Sequence, residues 1–185
     1  MSFWALPVAH CAAGAGIWDW AGSDDGDRDP DVVLGCAGDV VTMEVVAAAQ
    51  ILKEKLPQLR ARGMDDVRFG ELFTDHVDVV FAFHGYPGAI HQLVHGRPDS
   101  DRFHVRGFSE EGTTTTPFDM VVRNGVDRYS LVMDAINNAG RQVRGSSEVK
   151  AWCEAQLAKH QDYIVEHLED MPQVRDWVMT TVLED

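Results

Sequence analysis

Positive charge is in short supply in this sequence. Sixteen Lys and Arg stand against 30 Asp and Glu in 185 residues, giving a formal net charge of −14 and a pI near 4.8. Affinity for nucleic acid and for anionic lipid rests on clustered Lys and Arg; the balance therefore argues against nucleic acid and membrane as partners. Cysteine is also scarce: Cys11, Cys36 and Cys153 lie far apart, and none belongs to a Cys-x-x-Cys pair or a Cys/His cluster. That pattern points to neither a disulfide framework nor a zinc site. No apolar run approaches the roughly 20 residues that span a bilayer, and no basic stretch followed by an apolar core opens the chain. A cytoplasmic location is the expectation. Also missing are a Gly-x-Ser-x-Gly elbow, a Walker lysine, the glycine spacing of a dinucleotide loop and any internal repeat.

What the chain does have is 45% hydrophobic residues, enough for the core of one ordinary globular domain. Residues 1–30 read as an N-terminal arm and linker. "CAAGAGIWDWAG" sets small residues beside Trp18 and Trp20, and the acidic "SDDGDRDPD" is broken by Gly26 and Pro30. The acidic stretch lacks the alternating ligands and closing Glu of a calcium loop, so it is assigned as solvated loop. Residues 31–185 read as the folded domain with C-terminal helices.

Within it, "DVVLGCA" (Asp31 to Ala37) is a continuous apolar run suited to a strand buried on both faces. Gly38 and Asp39 break it, and Thr42 is the expected cap of a helix carrying Val45, Val46, Ala49, Leu52 and Leu56 at helical spacing, stopped by Pro57. A second strand is expected from Val77 to Gly85, followed by a helix from Pro87 to Gly96; a third strand falls at Phe103 to Phe108. Thr116, Pro117 and Asp119 make a helix start, as does Asp127 ahead of Leu131, Ala135 and Ile136. Helical spacing then runs on both sides of Pro172. Alternating strands and helices imply an α/β domain with a mostly parallel sheet.

The histidines are the first candidates for chemistry, because imidazole titrates near neutrality. His84 ends a predicted strand in "FHGYP", at the edge where α/β sheets place ligand-facing groups. With no carboxylate partner visible in the sequence, His84 and Tyr86 read more simply as polar tips holding the Gly85 and Pro87 turn. His91 and His95 share a helix face, but "HQLVH" lacks the Glu of a metalloprotease motif and a third ligand. Cys36, within an apolar strand, is no activated nucleophile. In "EEGTTTTPFDM", hydroxyls beside a helix start suggest an anion site, yet Glu110 and Glu111 would repel the anion. Capping accounts for Thr116, Pro117 and Asp119 and leaves Thr113, Thr114 and Thr115 unexplained.

Taken together, "DVVLGCAGDVVTMEVVAAAQIL", "VVFAFHGYP", "FHVRGFSEEGTTTTPFDMVVRN" and "DRYSLVMDAI" occur in the order that resembles phosphoketolase C-terminal domains. The likeness extends from "HCAAGAGIWDWA" to "VRDWVM" and covers most of residues 8–178. It implies a transketolase C-terminal-like three-layer sandwich. It implies membership of a lyase family of carbohydrate metabolism that uses thiamine diphosphate and magnesium to cleave xylulose 5-phosphate or fructose 6-phosphate with phosphate, yielding acetyl phosphate. In that family the cofactor lies between two larger N-terminal domains and the C-terminal domain supports the assembly. No Gly-Asp-Gly run with a downstream Asn is present, so no catalytic, cofactor-binding or metal residue is assigned, and this chain alone is expected to be inactive and to bind no cofactor. His84, Tyr86, Glu111, Thr113, Thr114, Thr115 and Thr116 are expected as family-signature or interdomain residues. Expected partners are separately encoded thiamine-binding domains or a second copy of the chain; a decayed gene fragment is the other alternative.

Two departures from the family pattern stand out. Val41 replaces a proline ahead of Thr42 and Glu44, and after Leu59 a family strand is deleted, since Arg60, Arg62 and Gly63 make a poor buried strand. The deletion is expected either to leave the sheet one strand short or to force Leu59 to Val67 into an irregular substitute.

Overall fold

A computed structural model describes residues 21, 30–59, 61–62, 73–74, 76–97, 99–109, 112 and 114–177. Residues 1–20 and 22–29 of the arm and acidic loop, Glu111 and Thr113 lie outside these residues. The elements are β1 (Val32–Ala37), α1 (Asp39–Lys55), β2 (Ala61–Arg62), β3 (Val79–Phe83), α2 (Pro87–Val94), a 3-10 turn (Ser100–Arg102), β4 (Phe103–Gly107), α3 (Pro117–Arg123), α4 (Arg128–Asn138), α5 (Ser146–His167) and α6 (Pro172–Arg175).

The strands form one parallel sheet in the order β2-β1-β3-β4. β1 pairs β3 from Val33 opposite Val79 to Ala37 opposite Phe83, and β3 pairs β4 from Val79 opposite Phe103 to Phe83 opposite Gly107. Side-chain alternation along each strand divides the core. Val32, Leu34, Val80 and Ala82 pack with α1, α4 and α5, whereas Val33, Val79 and Phe81 pack with Ile90 and Val94 of α2, Phe73 and Phe103. Both faces are covered, which is why β1 and β3 read as unbroken apolar runs rather than alternating ones. The result is the expected three-layer α/β sandwich.

Two expectations need correction. The deleted strand is not wholly lost, because Ala61 and Arg62 still pair in parallel with Val32 and Val33. Backbone groups make that ladder, so poor strand-forming side chains do not forbid a short piece of it. The first helix begins at Asp39 rather than after Thr42. Gly38 turns the chain at φ 115, and a Cβ there would come 2.3 Å from the His84 Cβ. Thr42 lies inside the helix, where its hydroxyl donates back to the Gly38 carbonyl at 2.5 Å; this is the bonding of an interior threonine, not of a cap.

Thr116 and Asp127 do cap as expected. Thr116 Oγ1 accepts from the Asp119 amide at 3.4 Å, and Asp127 Oδ1 accepts from the Tyr129 and Ser130 amides at 2.9 and 3.0 Å. α1 and α4 are also joined by a buried ion pair. Arg128 Nη2 donates to Glu44 Oε1 at 2.8 Å, while its Nε and its backbone amide both donate to Oε2 at 2.9 Å. Phe118 and Trp177 flank that guanidinium, with ring centroids 5.5 and 4.8 Å from its carbon. On the other layer, buried Arg102 donates to the carbonyls of Phe73, Thr74 and Val77 at 2.5–2.6 Å.

Candidate functional site

From β1 the chain moves outward to β2, then returns to the opposite side of β1 to lay down β3. Helices leaving neighbouring strands in opposite directions open a crevice at the carboxyl edge, the usual ligand edge of such sheets. Here that point lies between the ends of β1 and β3, and it holds Asp39 and His84.

His84 Nδ1 lies 2.9 Å from Asp39 Oδ1. The backbone places the ring: the His84 amide donates to the Ala37 carbonyl at 2.9 Å, and Phe108 stands edge-on with its centroid 4.9 Å away. The Val40 amide, and after it His84, hold the Asp39 carboxyl below the usual carboxylate range. A carboxylate only accepts, so the neutral imidazole carries its proton on Nδ1 and keeps Nε2 as an acceptor. No local signal gives His84 a carboxylate; the partner comes from 45 residues away, on a helix turn whose Gly38 and Asp39 carry the local signature of a strand break.

The adjoining turn is tightly built. The Gly85 amide donates to the Phe83 carbonyl at 2.9 Å, and the Phe108 amide reaches the carbonyls of both Phe83 and Gly85 at 3.0 Å. A Cβ on Gly107 would come 2.3 Å from Pro87 Cδ and 2.6 Å from the Gly85 oxygen. Tyr86 does not hold this turn with its side chain, which is 71% exposed. The polar-tip reading of Tyr86 is thereby corrected, because the backbone and the absence of a Gly107 side chain make the turn.

The threonine stretch resolves residue by residue. Thr114 is exposed, Thr116 is the cap, and Thr115 Oγ1 donates to Asp119 Oδ2 at 2.7 Å. Arg123 Nε donates to the same oxygen at 2.6 Å. Burial on its own would raise the Asp119 carboxyl; Arg123 and Thr115 outweigh it and the net shift is downward. Hydroxyls committed inward in this way do not form an anion cradle. Asp170 supplies a second cap, its Oδ2 accepting from the Phe118 amide at 3.0 Å, a contact across 52 residues that no local signal announces. Beside it, His160 is buried edge-on against Phe118 at 4.8 Å, and burial lowers its pKa.

The other described histidines do not converge on this edge. His91 is exposed on α2, while His95 is the exposed residue just past its end, with φ −57 and ψ 130, so the two do not share a helix face as expected; His104 Nε2 pairs with Asp78 Oδ1 at 2.9 Å. Burial pushes the Cys36 thiol up, against the Thr42 hydroxyl at 3.5 Å. Among the described residues no three His, Cys, Asp or Glu side chains gather as a metal site requires. The arrangement at the edge is thus a hydrogen-bonded His–Asp pair at an open surface, where the blocks carrying Asp39, His84 and Phe108 meet.

A sequence profile described as the XFP C-terminal domain matches residues 6–64 and 60–179. The two matched segments meet where β2 lies. The chain is 50% identical over 188 residues to a probable phosphoketolase of Streptomyces coelicolor, covering 91% of this chain and 24% of that protein. It is likewise 50% identical over 191 residues to one of Rhodopseudomonas palustris and 47% identical over 192 residues to one of Brucella abortus, in each case covering 92% of this chain and 24% of the relative. It therefore spans about a quarter of the length of these curated relatives.

Proposed function

Because the chain belongs to the phosphoketolase (XFP) C-terminal domain family, we propose that it serves as the assembly-supporting part of a thiamine-diphosphate-dependent carbon–carbon lyase and does not perform the cleavage unaided. The observation that carries this reading is the family match over nearly the whole chain set against a match to only 24% of each relative. The substrates in this reading are xylulose 5-phosphate or fructose 6-phosphate with inorganic phosphate, and the setting is cytoplasmic. Its partners are the thiamine-binding domains of such an enzyme, on the same polypeptide or another, with homodimerisation as a further mode of assembly.

The described residues offer no site that suits the cofactor itself. Diphosphate held through a divalent cation needs carboxylate, amide or carbonyl oxygens converging on one point. Among the described residues no three His, Cys, Asp or Glu side chains gather to hold such a cation, and the full sequence has no Gly-Asp-Gly run with a downstream Asn. Asp39 is turned to His84, Asp119 to Thr115 and Arg123, and Asp127 to its own helix.

The test is calorimetric titration of the purified 185-residue chain with thiamine diphosphate and magnesium, coupled to a hydroxamate assay for acetyl phosphate. Neither binding heat nor product is expected. Saturable cofactor binding, or turnover above a no-protein control, would overturn the reading.

A further inference from the structure

We infer that the Asp39–His84 pair and the apolar side chains beside it form the face on which the thiamine-binding part of the enzyme docks, and that this partner offers a hydrogen-bond donor or cation to the pair. The inference rests on the assembly role proposed above and names the surface that performs it. Of the threonines expected to make such a contact, Thr115 and Thr116 spend their hydroxyls on Asp119 and on the helix cap. The pair has the opposite character. Asp39 leaves 88% of its side chain exposed, and His84 has no bond to Nε2 among the described residues.

Three exposed apolar residues stand close to it along the chain. Val40 and Met43, 39% and 43% exposed, occupy the first turns of α1, while Tyr86, 71% exposed, precedes α2 on the neighbouring strand's end. Val40 and Met43 share a helix face at i, i+3 spacing. An aromatic and a methionine around a polar centre are the usual anchors of a protein contact. The length of the relatives outside the matched quarter supplies the occupant. A second copy would bring Asp39 against another chain of net charge −14, whereas a donor or cation on the remaining three quarters of a phosphoketolase would satisfy both Asp39 and Nε2.

Hydroxyl-radical footprinting tests this directly, because Met and Tyr side chains oxidise readily when solvent reaches them. The free chain is compared with the same chain joined in place of the matched quarter of the Streptomyces coelicolor relative. Joining should cut oxidation of Met43 and Tyr86 severalfold while Leu168, 80% exposed in α5's terminal cap, changes little. Asp39→Lys in the joined protein should return Met43 and Tyr86 towards their free reactivity; the free chain carrying the same substitution, followed by circular dichroism, separates this from misfolding. A joined protein that binds thiamine diphosphate and turns over but leaves Met43 and Tyr86 fully reactive would overturn the docking face alone. A joined protein with no activity and no protection would sink the assembly role with it. Concentration-dependent protection in the free chain would identify a second copy as the occupant and also overturn the inference.

Discussion

Two aspartates near helix starts show how one residue type is given opposite tasks. Asp119, bound by Arg123 and Thr115, has a folded-state pKa below its unfolded value, so its stabilisation is present above the ordinary carboxylate range and is lost as pH falls through the folded pKa. Asp127 is fully buried and its Oδ2 has no hydrogen-bond partner; burial, with a smaller contribution from Glu44, raises its pKa. The ionised form is then penalised in the fold, and the penalty sets in as pH rises through the unfolded and then the folded pKa. Thr115→Val should therefore cost about 1 kcal/mol at about pH 7 and less in acid, once Asp119 is protonated. Asp127→Asn keeps the Oδ1 acceptor and removes the ionisation, so relative to wild type it should improve from about pH 4 to about pH 7. Urea unfolding across that range reads both slopes, and parallel profiles for the two variants would contradict the assignment.

Elements formed from local signals were legible, and contacts between elements were not. β1, β3, β4 and the caps Thr116 and Asp127 follow from apolar runs, Pro and capping residues within a few positions. The start of α1 was missed because Gly38 and Asp39 carry the local signature of a break, whereas the tertiary contact with His84 makes them a helix entrance. In the same way Glu44 stood in the sequence as an unexplained member of a motif; its partner, Arg128, is 84 residues away. That pair locks α1 to α4 with both carboxylate oxygens and leaves little of either side chain exposed. Removing one member should therefore cost far more than removing both. Glu44→Leu leaves a buried guanidinium uncompensated and should destabilise by about 3–5 kcal/mol, and adding Arg128→Met should recover much of that. A double-mutant cycle from denaturant unfolding measures the coupling; additive losses would mean that the pair is not the joint between these helices.

At the scale of the whole molecule, the sheet is narrowest in support where the family pattern is interrupted. The break in the profile match falls at residues 60–64, and the alignment to the Streptomyces coelicolor relative is longer than the part of this chain it takes in, so that relative carries residues with no counterpart here. The position of the deletion was legible, because it is read by comparison along the chain. What survives was not legible, because two residues of backbone pairing leave no side-chain pattern. β2 meets only Val32 and Val33, and from Leu34 to Ala37 β1 has no strand partner on that side among the described residues. Restoring the relative's missing residues after Leu59 should extend that ladder beside β1. Each added cross-strand pair contributes about 0.2–1 kcal/mol, so stability should rise by about 1–3 kcal/mol. Because the extension buries more surface, the urea m-value should rise along with the midpoint. An inserted chain with an unchanged m-value and a lower midpoint would show that the grafted residues add a loop rather than a strand, and that the sheet is complete without them.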